Sequence, residues 1–329
     1  VTSAATTPNT HPAQGDDTPG VGVASRGRLG ACVELTKPGI TRLVTITATT
    51  GLLIAGLDAG ISGWRAWTTL LIGCALGTWM ASGGANALNM WYESDHDARM
   101  DRTRSRPIPS TRLRPRFVLC FGLAMCTTGA GVLWATTGLV PAIVAIVTAA
   151  SYVVVYTPLK TRTITNTLVG AVPGALPVLI GTSAVAPGIG FEPLAHRIGI
   201  MLFVLMFVWQ LPHFFAIAWM CRRDYERGGF RMLPSIDTQG NHTAAVLIGS
   251  SLLLIPVTLA PLRVIPALTG WATASAGVTL GLAMVALSVR FAVQRDDARA
   301  RAVFLCSIAH LPIYMLVFVL DALAHALLA

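Results

Sequence analysis

Apolar stretches of bilayer length recur along this chain, and they restrict its fold more than any other feature. A membrane-spanning helix needs about 20 predominantly apolar residues. Stretches of that order occupy residues 41–57, 67–91, 117–136, 139–156, 166–186, 198–220, 243–262, 265–289 and 302–327. Lipid offers no partner to backbone N–H and C=O groups, so each stretch must satisfy its own as a helix. The alternating polar and apolar strands of a membrane barrel are absent. The expectation is an all-α integral membrane protein with nine transmembrane helices. A composition of 53% apolar and 12% charged residues agrees with it.

The charges set an orientation. Of the 24 Lys and Arg, all but Arg65, Arg197 and Arg263 fall before residue 43 or in the loops 93–116, 157–165, 221–242 and 290–301. Positive charge accumulates on the cytoplasmic side of membrane proteins. The N-terminus and the even-numbered loops are therefore expected in the cytoplasm and the C-terminus outside. The net charge of +9 is topology signal, with some attraction to anionic membrane lipid. Nucleic acid is not an expected partner, since no basic groove with interleaved aromatics is present. Residues 1–30 are polar and rich in Thr, Pro, Gly and Ala, and read as a disordered tail without the apolar core of a signal peptide. One transmembrane domain, residues 31–329, follows it. The 6 cysteines are scattered without metal-ligand spacing and read as reduced thiols or small apolar fillers.

The chemistry concentrates at the end of the second span. Of 15 acidic residues, Glu93, Asp95, Asp97 and Asp101 stand together here, interleaved with Arg99, Arg102, Arg104 and Arg106. If 89–101 continues the helix, Asn89, Glu93, Asp97 and Asp101 stack on one face. Stacked acids repel, and a divalent metal with a phosphorylated ligand would offset them. A solvated, salt-bridged loop is the alternative. Two further segments begin at the same membrane face: Tyr156-Thr-Pro-Leu-Lys160-Thr-Arg162 leading to Asn166, and Trp209-Gln-Leu-Pro-His213-Phe followed by Arg223, Asp224 and Met232-Leu-Pro. The set suits departure of an allylic diphosphate. Carboxylates hold magnesium, Arg and Lys bind the remaining phosphate charge, and an isoprenoid tail lies in the apolar bundle. No phosphate-binding P-loop and no His-Glu-x-x-His zinc motif occurs. A secondary transporter is the non-enzyme alternative, although transporter sites lie near the bilayer midplane.

These motifs carry a resemblance. The chain resembles the UbiA superfamily of intramembrane prenyltransferases, and within it the heme-farnesylating branch, over about residues 34–325. That branch reads N-x-x-x-D-x-D-x-D-x-x-M-x-R-T-x-x-R-P, matched by Asn89, Asp95, Asp97, Met100, Arg102, Thr103, Arg106 and Pro107. Its W-Q-x-P-H-F, D-Y-x-x-x-G and M-L-P are matched by Trp209, Gln210, Pro212, His213, Phe214, Asp224, Tyr225, Gly229, Met232, Leu233 and Pro234. Its T-K-P is Thr36, Lys37 and Pro38, and its Y-T-x-x-K before N-x-x-x-G is Tyr156, Thr157, Lys160, Asn166 and Gly170. Three positions depart: Glu93 replaces the usual Asp, Lys160-Thr161-Arg162 replaces a Lys-Arg pair, and His96 stands where an apolar residue is common.

The resemblance implies a bundle of the UbiA type in the bacterial inner membrane. It implies transfer of farnesyl from farnesyl diphosphate to a vinyl group of heme b, with water added. A heme A synthase or a terminal oxidase assembly is the implied downstream partner. A quinone precursor or a chlorin is the alternative acceptor within the superfamily. The implied magnesium and diphosphate ligands are Asn89, Glu93, Asp97 and Asp224. Lys160, Arg102, Arg106, Arg162 and Arg223 would neutralise the leaving group. Asp95 and Asp101 fit salt bridges at least as well, and His96 reads as solvent-facing. His213 would ligate or orient the heme, or else bond a carbonyl freed by Pro212. Tyr156 and Trp209 would stack on the porphyrin or belong to the interfacial aromatic belt, and helix packing explains His310 adequately.

Overall fold

The computed structural model describes residues 27–186 and 190–328. Most of the expected tail, residues 1–26, lies outside the described residues. A short helix α1 (Arg28–Leu35) precedes the long helices α2 (Pro38–Asp58), α3 (Trp64–Tyr92) and α4 (Pro115–Thr137). Then follow α5 (Leu139–Leu159), α6 (Asn166–Ser183), α7 (Arg197–Met220), α8 (Asn241–Val264), α9 (Trp271–Gln294) and α10 (Asp297–Leu328). The described residues contain no strand. Sequence neighbours pack in order from α2 to α10, and α10 closes against α2.

Eight of these helices are long and apolar enough to cross a membrane. The ninth expected span is α3, which has 29 residues but is diluted by Gly, Ser, Thr and Asn and falls short on apolarity. Those small residues have a packing purpose. The oxygen of Gly122 lies 2.6 Å from where a Cβ on Gly84 would sit, and the oxygen of Gly77 lies 2.6 Å from where one on Gly129 would sit. Backbone therefore meets backbone along the α3–α4 contact, as small residues permit in membrane bundles. The same holds where α6 meets α2, since a Cβ on Gly181 would stand 1.8 Å from the Ala48 oxygen.

Helix limits follow local chemistry. Pro38 and Pro115 occupy first turns, where a missing N–H costs nothing. The expected span 265–289 begins instead at Trp271. Pro266–Leu268 forms a short 3-10 turn, and Gly270 precedes the helix, so the apolar run starts before the helix does. Inside α5, Ser151–Tyr156 widens into a π-helical turn. Such turns are rare and frequently mark functional sites. At one end of the bundle Asp58 and Arg197 form a two-oxygen ion pair at 2.8 and 2.9 Å that ties α2 to α7. The charged loops gather at the other.

Candidate active site

The helical hydrogen-bond spacing of α3 runs past Tyr92. Glu93 N donates to the Asn89 oxygen at 2.9 Å, and Asp97 N donates to the Glu93 oxygen at 2.8 Å. Asn89, Glu93 and Asp97 thus share a direction, as their spacing predicts. They are 1%, 4% and 0% exposed, which removes the solvated-loop reading for these three. The stack ends there. After Asp97 the chain tightens, with Met100 N donating to the Asp97 oxygen, and Asp101 turns outward to pair with Arg227 and Arg104. Asp101 is a salt-bridge residue, and Asp95 is exposed.

Three cations meet this line of buried oxygens. Lys37 Nζ donates to Asn89 Oδ1 at 2.8 Å. Lys160 Nζ donates to Glu93 Oε1 at 2.6 Å. Arg106 reaches both oxygens of Asp97 at 2.7 and 2.6 Å. Asn89 is fixed from its other side by donating to Thr157 Oγ1 at 3.1 Å. Lys37, Lys160 and Arg106 together outnumber Glu93 and Asp97, so the pocket carries surplus positive charge before any ligand enters.

The titration behaviour follows from these contacts. Burial works to raise the Glu93 carboxyl, but Lys160 and Lys37 outweigh it and hold it below the usual carboxylate range. Burial also opposes the Lys160 ammonium, yet Glu93 holds that group above the usual lysine range. For Asp97 burial prevails over Arg106, leaving the carboxyl above its usual range. Burial, with Arg106 nearby, lowers Lys37 to about 7.

The other expected residues divide into those the fold gathers and those it leaves outside. Asp224 does not join the buried oxygens. Its Oδ1 accepts from Asp101 N at 2.9 Å and its Oδ2 from Arg102 N at 3.3 Å, so it clamps the third segment onto the first. Among the described residues no cluster of three or more acidic, His or Cys ligands forms. Of the expected ligands, Asn89, Glu93 and Asp97 share one buried line, and Asp224 lies apart from it on the amides of Asp101 and Arg102. Arg102 is exposed and lies over the Tyr225 ring, with its guanidinium carbon 5.8 Å from the centroid. Arg162 and Arg223 are exposed as well.

His96 corrects the solvent-facing expectation. It is half-buried, its Nδ1 lies 2.8 Å from the Gly228 oxygen, and its ring packs on Phe230. The cause is the convergence of the first and third segments, which covers one side of the acidic turn. The second segment joins them where Arg231 N donates to the Lys160 oxygen at 2.6 Å and Asn166 Nδ2 to the Arg231 oxygen at 2.7 Å.

From this charged end a cavity of about 260 Å³ runs between α2, α3, α5, α6 and α7. Its wall includes Lys160, Leu43, Tyr152, Ile180, Met206 and Phe214. Tyr156, Trp209 and His213, the three residues expected on the acceptor side, line the same cavity. The π turn stacks Tyr152 and Tyr156 at 5.7 Å between centroids and sets Lys160 Nζ 4.6 Å above the Tyr156 ring. His213 does not bond a carbonyl freed by Pro212. Its Nδ1 meets Ser307 Oγ of α10 at 2.9 Å, because α10 packs against α7 at this level. His310 is buried in α10, and it is not among the residues lining the cavity.

Sequence reasoning placed Lys37 only in the Thr-Lys-Pro match and did not number it among the site residues. The available signal was a lysine directly before a helix-starting proline, at the face where the buried acids need countercharge. Its backbone is left-handed, with φ at 45°, which turns α1 sharply into α2 and places the ammonium at Asn89. Thr157 stood only in the Y-T-x-x-K match, and Ser307 carried no signal at all.

A polytopic helical membrane protein with a buried acid–base cluster at the mouth of an apolar cavity is built to act on an amphiphilic, anionic substrate. The chain belongs to the UbiA prenyltransferase family, whose model matches residues 44–313. The protoheme IX farnesyltransferase of Solibacter usitatus is 38% identical over 297 residues, covering 88% of this chain and 97% of that protein. The fold matches a solved digeranylgeranylglyceryl phosphate synthase with a TM-score of 0.69 at 14% identity, covering 90% of this chain and 99% of the other. It also matches a UbiA homolog from Archaeoglobus fulgidus bound to GPP and Mg2+, with a TM-score of 0.52 at 11% identity and coverage of 90% and 99%. Membership in a prenyltransferase family sets the transporter reading aside.

Proposed function

We propose that this chain transfers the farnesyl group of farnesyl diphosphate to a vinyl group of heme b, with addition of water, giving heme O and diphosphate. The observation that carries the reading is the cluster of Lys37, Lys160 and Arg106 with Glu93 and Asp97, joined through Lys160 to an apolar cavity that also bears Trp209 and His213. The acceptor follows the relatives named protoheme IX farnesyltransferase, such as that of Solibacter usitatus.

The residues present fit magnesium. Asn89, Glu93 and Asp97 offer hard oxygen donors along one buried line. When bound, magnesium neutralises charge on the departing diphosphate. Lys160 and Arg106 exchange their present carboxylate partners, and Lys37 its Asn89 amide oxygen, for phosphate oxygens, and the tail enters the cavity. The allylic C–O bond breaks, the vinyl group's π electrons form the new C–C bond, and water captures the resulting cation with loss of a proton. The faces of Tyr152 and Tyr156 border this path and exclude bulk water. Asp224 keeps the first and third segments together during the cycle. The positive charge at this end supports an orientation with the site facing the cytoplasm of a bacterial inner membrane.

The test is reconstitution in lipid nanodiscs with farnesyl diphosphate, heme b and magnesium, followed by chromatography of the pigments. Heme O is expected, and chelation should abolish it. If heme b is returned unchanged while a quinone precursor or a chlorin becomes prenylated, the acceptor assignment is wrong.

A further inference from the structure

His213 is held by more contacts than helix packing requires. Ser307, fully buried on α10, donates its only hydroxyl proton to the Phe304 oxygen at 2.6 Å. Its Oγ can then only accept from His213 Nδ1, 2.9 Å away. The proton of this imidazole therefore resides on Nδ1, and Nε2 carries the lone pair. The same serine's backbone oxygen accepts from Trp209 Nε1 at 3.0 Å. The Trp209 ring lies 5.4 Å from the imidazole at 22°, and Phe304 and Phe214 stand at 5.0 and 5.5 Å. The ring is thus fixed in tautomer and in plane. His213 lines the cavity, and Nε2 has no hydrogen-bond partner among the described residues.

We infer that His213 Nε2 is an axial ligand to the iron of the porphyrin substrate, and that Ser307 is the positioning residue that aims it. The inference rests on the heme reading of the preceding section. Proton transfer is the other use of a free imidazole nitrogen, and the surroundings argue against it. Three aromatic rings enclose the group, and its one hydrogen-bond partner is a neutral hydroxyl, so an imidazolium would have no countercharge. A neutral imidazole is what iron requires. Anchoring the non-ligating nitrogen is how proteins fix a metal-bound histidine, and losing such a partner costs about 10- to 100-fold in affinity.

The test uses the full chain in nanodiscs titrated with ferrous heme b, read by resonance Raman and absorption spectroscopy. The wild type is expected to show an iron–histidine stretching band. His213→Gly should lose that band and recover it when imidazole is added, which separates ligation from folding. Ser307→Ala should weaken heme binding by about 10- to 100-fold, and Ser307→Thr, which keeps the hydroxyl, should restore it. A band that persists in His213→Gly, or bound heme without such a band in the wild type, overturns the inference. Heme O formation by the wild type is measured in parallel. If it proceeds while the spectra are indifferent to His213, the ligation fails and the proposed reaction stands; if no heme O forms, the reaction itself falls.

Discussion

At the scale of single residues, the acidic segment separates into two populations. Asn89, Glu93 and Asp97 are buried and each faces a cation, whereas Asp95 and Asp101 are exposed. Glu93→Gln and Asp97→Asn should each lower heme O formation by about 100-fold or more, the order seen when one preorganised charge-stabilising group is lost. Asp95→Asn and Asp101→Asn should stay within a few-fold of wild type, because exposed pairs contribute little. Equal losses across all four would return the segment to a generic charged loop. Lys37→Met should match Lys160→Met in loss of farnesyl diphosphate affinity, measured by competition with a diphosphate analogue. A Lys37 variant binding as wild type does would remove it from the site.

The elements set how closely these residues can approach. The α2–α6 crossing at Gly181 brings that helix against the Ala48 oxygen, and there is no room for a side chain. Gly181→Val should force the helices apart and cost on the order of 1–3 kcal/mol, as overpacking does. The reading is the thermal unfolding midpoint in detergent, and an unchanged midpoint would show that the contact yields freely. The π turn of α5 has a different consequence. Tyr152 and Tyr156 lie in the widened turn Ser151–Tyr156 and line the cavity together with Lys160 just beyond it. Deleting Val154, which is 69% exposed, should restore regular helix and rotate Lys160 away from Glu93. Activity should be lost while the helical circular dichroism is retained. An active deletion variant would mean the widening is incidental.

For the whole molecule, the ring of helices places all three charged segments at one end and the Asp58–Arg197 pair at the other. With α3 included as a span, the chain crosses an odd number of times and its ends fall on opposite sides. Alkaline phosphatase fused after Leu328 should be active outside the cell, and the same reporter fused after Thr163 should be inactive. The inverse pattern, activity after Thr163 and none after Leu328, would mean that α3 does not span. A bundle so arranged explains why the substrate must be drawn from the bilayer: the diphosphate is met by cations at the membrane face, while its tail has only the apolar cavity to enter.

The sequence by itself determined the helical architecture, since the cost of unpaired backbone in lipid is local and reads out as apolar length. It also determined the line of Asn89, Glu93 and Asp97, because helical spacing is a property of neighbouring residues. The end of that line at Asp101, the start of α9 at Trp271 and the π turn were less legible, as each depends on a change of a residue or two in the backbone path. Only the tertiary structure decided that Lys37 meets Asn89, that Asp224 is spent on backbone amides, and that Ser307 sets the tautomer of His213. Those contacts join residues 52, 123 and 94 positions apart. Spacing along a chain carries no record of such pairings; they exist only where close helix packing brings distant side chains within hydrogen-bonding reach.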